Sequence, residues 1–267
     1  MKNLNLIQCL KGVKREEGQL LLCESLGIRL EQLVLMEEVE VEEAQYQKLR
    51  KQLEQLRQGV PLAYILGKKN FYGRDFELSP KVLIPRPESE ALIEQIKQLK
   101  AKKVLDVGTG SGCLAISVAL ELKDCAVTAV DKSRGALEVA QKNAKKLGAR
   151  NIQFLYSDLL GAKELKGRQF DLIVANLPYV DKNWPWLSKS LRYEPKEALF
   201  AEEGGLALIK RLLEEAAGFL VPKGLLLLES DPSQRERILE TAQQRGWRYD
   251  ERSLPNSNYS LLLARKS

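Results

Sequence analysis

From Lys103 onward the sequence alternates short apolar runs with segments of helical length, and this alternation narrows the possible folds more than any other feature. Val104–Val107, Val127–Val130, Ile152–Tyr156 and Phe170–Ala175 read as strands, with helices expected over Cys113–Leu122 and Arg134–Leu147 between the first three. A long helix is expected over Gly205–Phe219, then a strand at Leu225–Glu229 and a helix around Gln234–Arg245. Two closing strands are expected near Trp247–Glu251 and Ser260–Ala264. Continuous apolar strands are buried on both faces, and helices between them supply the crossovers that parallel pairing needs. The pattern predicts an α/β domain with a seven-stranded, mostly parallel sheet covered on both sides.

The first part of the chain has a different texture. Leu20, Leu21, Leu22 and Leu26 recur at helical spacing before Gly27, and Tyr46, Leu49, Leu53 and Leu56 do so before Gly59. Glutamates lead the second of these segments while Lys48, Arg50 and Arg57 trail, as the helix dipole favours. No strand pattern is read here, so residues 1–69 are expected to form a small all-α domain. Residues 70–87 are rich in glycine, proline and aromatics, and Phe76–Leu78 with Val82–Ile84 are expected to pair as a hairpin around Ser79-Pro80. Residues 88–267 then form the α/β domain.

Composition removes several chemistries. The chain of 267 residues contains no histidine, which excludes His-dependent triads and His general bases. Its four cysteines have no CxxC spacing and read as buried or isolated thiols, so no metal site is expected. No uncharged apolar run is long enough to span a bilayer, and charges crowd the first twenty residues; no membrane segment or secretory signal is expected, and the cytoplasm is the expected location. The net charge of +6 is spread among glutamates and reads as a solvated surface, with no obligatory nucleic-acid partner. Nothing fixes the oligomeric state, and a monomer is the expectation.

Two loops carry the chemistry. In "KVLDVGTGSGCLAI" the stretch Gly108-Thr109-Gly110-Ser111-Gly112 joins the first strand to the first helix, where glycines let backbone approach a ligand closely. A bare GxGxG would suit a dinucleotide enzyme equally well. Asp106, just before the glycines, and Asp131, closing the second strand about twenty residues on, sharpen the reading, because a carboxylate at the second position can accept both ribose hydroxyls. This D-x-G-x-G-x-G arrangement resembles the S-adenosylmethionine site of class I methyltransferases, which have a Rossmann-like sheet. In that reading Asp106 lies near the methionyl amine, Asp158 approaches the adenine amino group, and Leu159 packs on the adenine ring.

The second loop is Asn176-Leu177-Pro178-Tyr179, after the fourth strand. A planar NH2 acceptor needs hydrogen-bond acceptors for its protons that leave the nitrogen facing the methyl donor. An Asn side-chain oxygen and the next backbone carbonyl can provide them; a Tyr ring can stack on the plane, and proline holds the turn. Glutamine side chains and adenine rings present similar NH2 groups, so the tetrapeptide leaves the acceptor open.

Four stretches, "NFYGRDFELSPKVLIPRPESEAL", "VLDVGTGSGCLAI", "DLIVANLPYV" and "LRYEPKEALFAEEGGLALI", in this order, resemble the release factor glutamine methyltransferase family. The resemblance implies S-adenosyl-L-methionine as cofactor and peptide chain release factors as protein substrate, methylated on the glutamine of their Gly-Gly-Gln motif, with the N-terminal domain as docking module. It also implies cofactor contacts from Gly108 to Gly112, Asp131 and Leu159, with Asn176 shared between cofactor and substrate. Asn176, Leu177, Pro178 and Tyr179 fall on the substrate tetrapeptide, and Phe71, Phe76, Arg86, Pro87 and Glu88 match a segment lining the same cleft. Glu194 and Pro195 match the family's loop after the fourth strand.

One position departs from the pattern: the family's usual tetrapeptide has two prolines, and this chain has Leu177 in the first place. "NLPY" is the form associated with ribosomal RNA adenine dimethylases. That family lacks the helical N-terminal region and the "FYG…LIPRPESE" linker, so the flanks favour glutamine. A glutamine methyltransferase acting on a ribosomal protein, an N6-adenine methyltransferase and a non-catalytic binding module are the alternatives.

Overall fold

The computed structural model describes residues 1–250, 252 and 259–265. The chain forms two compact units, one of residues 1–68 with 188–193, the other of residues 69–187 with 194–267.

In the larger unit seven strands form one sheet: β1 (Lys103–Val107), β2 (Ala126–Asp131), β3 (Ile152–Tyr156), β4 (Phe170–Ala175), β5 (Leu220–Glu229), β6 (Trp247–Tyr249) and β7 (Ser260–Arg265). Their order is β6-β7-β5-β4-β1-β2-β3. The pairs β3–β2, β2–β1, β1–β4 and β4–β5 are parallel, while β7 runs antiparallel to both β5 and β6. The sheet is thus mostly parallel, as the apolar runs predict, with the closing strand pair reversed.

Alternation along the strands divides the core. Leu105, Ile173, Leu226 and Leu263 pack on one face with Ile209, Leu212 and Ile238. Val104, Leu172, Leu227 and Leu262 pack on the other with Ile93, Ile96, Leu114 and Ile116. Helices at Glu90–Leu99, Cys113–Glu121, Arg134–Leu147, Ala207–Glu215 and Arg235–Gln244 flank the sheet. The helix expected from Gly205 starts instead at Ala207, because Gly204 and Gly205 are both left-handed.

Connection order reverses between β1 and β4: from β1 the chain builds outward through β2 and β3, then returns to the other side of β1. In open α/β sheets, ligands bind at the carboxyl ends of the strands where this reversal falls. Register then lines up the strand ends. Val107 pairs with Val130 on one side and Ala175 on the other, and Ala175 pairs with Leu228. The residues that follow, Asp131, Gly108, Asn176 and Glu229, therefore stand side by side at the carboxyl edge of the sheet.

The linker hairpin lies earlier than expected. Strands Lys68–Phe71 and Arg74–Glu77 pair, and no strand forms at Val82–Ile84. Tyr72 and Gly73 both have positive φ, 49° and 72°, the two-residue turn whose twist suits a hairpin. Asn143, fully buried on its helix, ties this hairpin to the glycine turn. Its Oδ1 accepts from Glu77 N at 2.7 Å, and its Nδ2 donates to the carbonyls of Glu77 and Ser111 at 3.0 Å each.

The smaller unit is helical, with its longest helices at Arg15–Leu26 and Glu43–Arg57 closing over Leu21, Leu22, Leu49 and Leu53. It also contains a two-stranded antiparallel ribbon, Lys2–Asn5 with Glu38–Val41, which the all-α expectation lacked. The alternation in Glu38-Val39-Glu40-Val41 is the strand signal, and Val41 is the residue it buries. Arg192 and Tyr193 join this unit by donating to the Gln58 carbonyl, each at 2.9 Å. Among the described residues no helix is long and apolar enough to cross a membrane.

Candidate active site

A cavity of about 580 Å³ opens at the carboxyl ends of β1, β2 and β4. That is ample for a nucleoside-sized ligand. Of the residues singled out by sequence, Gly108, Gly110, Asp131, Asp158, Leu159, Asn176, Leu177 and Pro178 line it.

The glycine turn is held to the end of β2. Gly108 N and Thr109 N donate to the Val130 carbonyl at 2.9 and 3.0 Å, and Gly110 N donates to Asp131 Oδ2 at 2.9 Å. Asp131 Oδ1 takes the Ser133 N–H at 2.8 Å. Each carboxylate oxygen has a second lone pair, so Asp131 can still receive two hydroxyls. Burial raises its pKa. A Cβ on Gly110 would meet nothing within 4 Å, leaving that side of the turn open to a ligand. Thr109, Ser111 and Gly112 do not line the cavity; they are the inner wall of the turn, Thr109 and Ser111 being buried.

Asp106 is 2% exposed, and its Oδ2 has no hydrogen-bond partner among the described residues. Burial, with the Asp131 charge adding to it, pushes its pKa up to about 7. An unpartnered buried carboxylate oxygen is costly, and a cation or N–H group reaching it would recover that cost. On the β3 side, Leu159 is held left-handed with φ 46°, its carbonyl accepting from Ser157 Oγ at 2.7 Å. Asp158 is exposed, and its Oδ2 is paired with Arg211 at 3.1 Å. Asp131 offers hydroxyl acceptors and Leu159 an apolar wall to a nucleoside-sized ligand, whereas Asp106 is buried and is not among the residues lining the cavity.

Across the cleft, the Asn176 carboxamide is tied down through its nitrogen. Nδ2 donates to Glu229 Oε1 at 2.8 Å and to Ser89 Oγ at 3.0 Å, which uses both of its hydrogens. The Tyr179 hydroxyl also donates to Glu229 Oε1, at 3.4 Å, and burial followed by the Glu229 charge raises the phenol pKa. Glu229 is 2% exposed, and burial pushes its pKa up to about 7. Leu177 is buried, and a Cβ on Gly108 would stand 3.0 Å from Leu177 Cδ2. Gly108, at φ 78°, and Leu177 are thus in close contact, and the two loops pack against each other.

Neither Phe71 nor Phe76 lines the cleft, contrary to expectation. Both are fully buried in the sheet core in an edge-to-face pair, centroids 6.1 Å apart, because the hairpin turns its apolar side inward. Pro87 and Glu88 are exposed and also lie off the cavity wall. Arg86 points to Glu194, pairing at 2.7 Å, while the other Glu194 oxygen accepts from Ile84 N at 3.0 Å. This pair fastens the linker to the loop ahead of Pro195, which does line the cavity.

Glu229 and Ser89 belong to the site although no sequence motif marks them. The signal for Glu229 was present in "LLLLES": a carboxylate at the carboxyl end of a fully buried parallel strand is a candidate site residue.

A methyltransferase structure from Pyrococcus furiosus superimposes with a TM-score of 0.56 at 21% identity, over 74% of this chain and 92% of that one. The strand order, the glycine turn after β1 and the polar tetrapeptide after β4 define a class I methyltransferase. The chain matches the family models described as methyltransferase small domain, over residues 87–188, and PrmC N-terminal domain, over residues 7–67. It is 38% identical over 237 residues to a release factor glutamine methyltransferase of Salmonella typhimurium, covering 87% of this chain and 85% of that protein. To one of Koribacter versatilis it is 48% identical over 177 residues, covering 64% and 62%. The chain belongs to the release factor glutamine methyltransferase family.

Proposed function

We propose that this protein transfers a methyl group from S-adenosylmethionine to the side-chain amide nitrogen, N5, of the glutamine in the Gly-Gly-Gln motif of peptide chain release factors. Family membership supports the substrate class. The observation that carries the chemistry is the Asn176 carboxamide: both hydrogens of Nδ2 are committed to Ser89 and Glu229, so Oδ1 is left as an acceptor for a substrate N–H.

S-adenosylmethionine supplies an electrophilic methyl on a positively charged sulfur, so the acceptor nitrogen needs alignment rather than a strong base. Asp106 and Asp131 hold the cofactor's amine and ribose hydroxyls, with Leu159 against the base. Asn176 Oδ1 and the Leu177 carbonyl accept the two amide hydrogens and turn the nitrogen toward the methyl. Such alignment contributes up to about 7–11 kcal/mol in favourable systems. The surplus proton leaves to solvent, in keeping with a chain that contains no histidine.

Leu177, the residue that opened the adenine reading, works through its carbonyl, while its buried side chain packs on Gly108. The smaller unit is the docking module for the protein substrate, and a release-factor substrate implies the cytoplasm.

Incubation with methyl-labelled S-adenosylmethionine and purified release factor, followed by peptide mass spectrometry, tests the reading. Label on the Gly-Gly-Gln glutamine supports it. Label confined to ribosomal RNA or a ribosomal protein overturns it.

A further inference from the structure

Glu229 is the deepest charged group at the acceptor end, and no step of the proposed chemistry uses it. Its position follows from sheet register. Leu228 pairs with Ala175 on β4, so the next residues, Glu229 at the end of β5 and Asn176 just past β4, are neighbours. One oxygen, Oε1, receives both the Asn176 carboxamide and the Tyr179 hydroxyl, the two ends of the tetrapeptide.

Above about pH 7 Glu229 is ionised and only accepts hydrogen bonds, whereas a carboxamide can present either its NH2 or its oxygen. A carboxylate beside Asn176 therefore selects the NH2 and sends Oδ1 the other way. The Ser89 hydroxyl could satisfy either orientation, since it donates as well as accepts. Glu229 alone breaks the symmetry. With the opposite orientation Asn176 would point a donor at the substrate, and a substrate NH2 would meet another NH2.

We propose that Glu229 is the positioning residue of the acceptor site, holding Asn176 with Oδ1 toward the substrate and so restricting the site to acceptors that donate N–H groups. This rests on the reading of Asn176 as the acceptor clamp. The residual cost of a buried carboxylate is consistent with it: Glu229 Oε2 has no partner among the described residues, although an apolar residue would satisfy the sheet core equally well.

The test compares wild type, Glu229→Gln, Asn176→Ala and the double variant, measuring glutamine methylation on intact release factor, S-adenosylmethionine affinity by calorimetry and melting temperature. Gln has the shape of Glu but can donate to Asn176 Oδ1, so it admits the wrong orientation. Glu229→Gln is expected to lower kcat about 10- to 100-fold, with cofactor affinity within about twofold. On the Asn176→Ala background it is expected to add no further loss, because there is no carboxamide left to orient.

Unchanged kcat in Glu229→Gln, losses that multiply in the double variant, or a fall in cofactor affinity matching the fall in kcat each overturn the proposal. Should Glu229→Gln fail to fold, Glu229→Met, which keeps the length of the side chain but removes the carboxylate that selects the NH2, is read by the same criteria. A wild-type protein that methylates a different acceptor refutes the release-factor reading alone, and the same comparison on that acceptor then decides the role of Glu229. A wild-type protein that methylates nothing refutes both.

Discussion

Gly205 lies so close to Tyr179 that a Cβ on it would overlap the Tyr179 carbonyl oxygen. The same carbonyl accepts from Gln234 Nε2 at 2.8 Å, which also donates to the Gly204 carbonyl at 2.8 Å. Tyr179 is thus fixed at both ends, its hydroxyl on Glu229 and its backbone between Gly205 and Gln234. Gly205 itself is left-handed with φ 85°, so a side chain there is strained as well as crowded.

Gly205→Ala is therefore expected to displace the tetrapeptide. The cost to stability should be about 1–3 kcal/mol, and turnover should fall at least ~10-fold with cofactor affinity largely kept. Denaturant unfolding and steady-state kinetics measure both. Wild-type turnover in Gly205→Ala would show that the Tyr179 backbone position does not matter to the reaction.

Asn176→Ala removes the oxygen assigned to the substrate amide. Turnover should drop by about 100-fold or more, while the dissociation constant for S-adenosylmethionine changes by less than about threefold. Calorimetry beside a single-turnover assay separates the two. A matching loss in cofactor affinity would move Asn176 to the cofactor's side of the cleft.

Asp106 and Glu229 make the ligand-free protein sensitive to pH. Each carboxyl is raised from its ordinary range to about 7 in the folded state, chiefly by burial. Folding therefore takes up protons between about pH 4 and pH 7, and this contribution to stability is lost as pH rises through 7. Asp106→Asn removes one of the two groups, so its melting temperature should fall less than that of wild type between pH 5.5 and 8. At pH 8 the variant should melt ~2 °C or more above wild type. Saturating S-adenosylmethionine should raise the wild-type melting temperature and leave Asp106→Asn nearly unmoved. Parallel pH slopes for the two ligand-free proteins would contradict the assignment.

Asn143 is a structural joint. Replacing it with Ala leaves Glu77 N and the carbonyls of Glu77 and Ser111 without their partner. The expected destabilisation is about 1–3 kcal/mol, with weaker cofactor binding because the glycine turn loses its tie to the helix. Urea unfolding and calorimetry would show it. Full stability in Asn143→Ala would mean that water replaces all three bonds.

The apolar runs announced the sheet because a strand buried on both faces has almost no choice of residue type, and the glycine turn announced its ligand side because Gly108, Gly110 and Gly112 all sit at positive φ. Local pattern is ambiguous elsewhere in the chain. Glu38–Val41 repeats with a period of two, but its glutamates equally suit the N-terminus of the helix that follows, so the all-α expectation lacks the strand. Ser79-Pro80 carries the stronger turn signal in the linker, whereas Tyr72 and Gly73 adopt the hairpin turn. Phe71 and Phe76 looked like cleft aromatics, and only packing shows that they belong to the core.

By itself the sequence determined the order of elements, the two loops that leave β1 and β4, and the family of the chain, since each is carried by residues close together along the backbone. Tertiary structure decided what those loops touch. Asp131, Gly108, Asn176 and Glu229 are scattered over more than a hundred residues, and parallel pairing in one register sets them side by side. The direction in which Asn176 presents its oxygen is a property of that row, because it depends on a carboxylate that the chain reaches only one strand later.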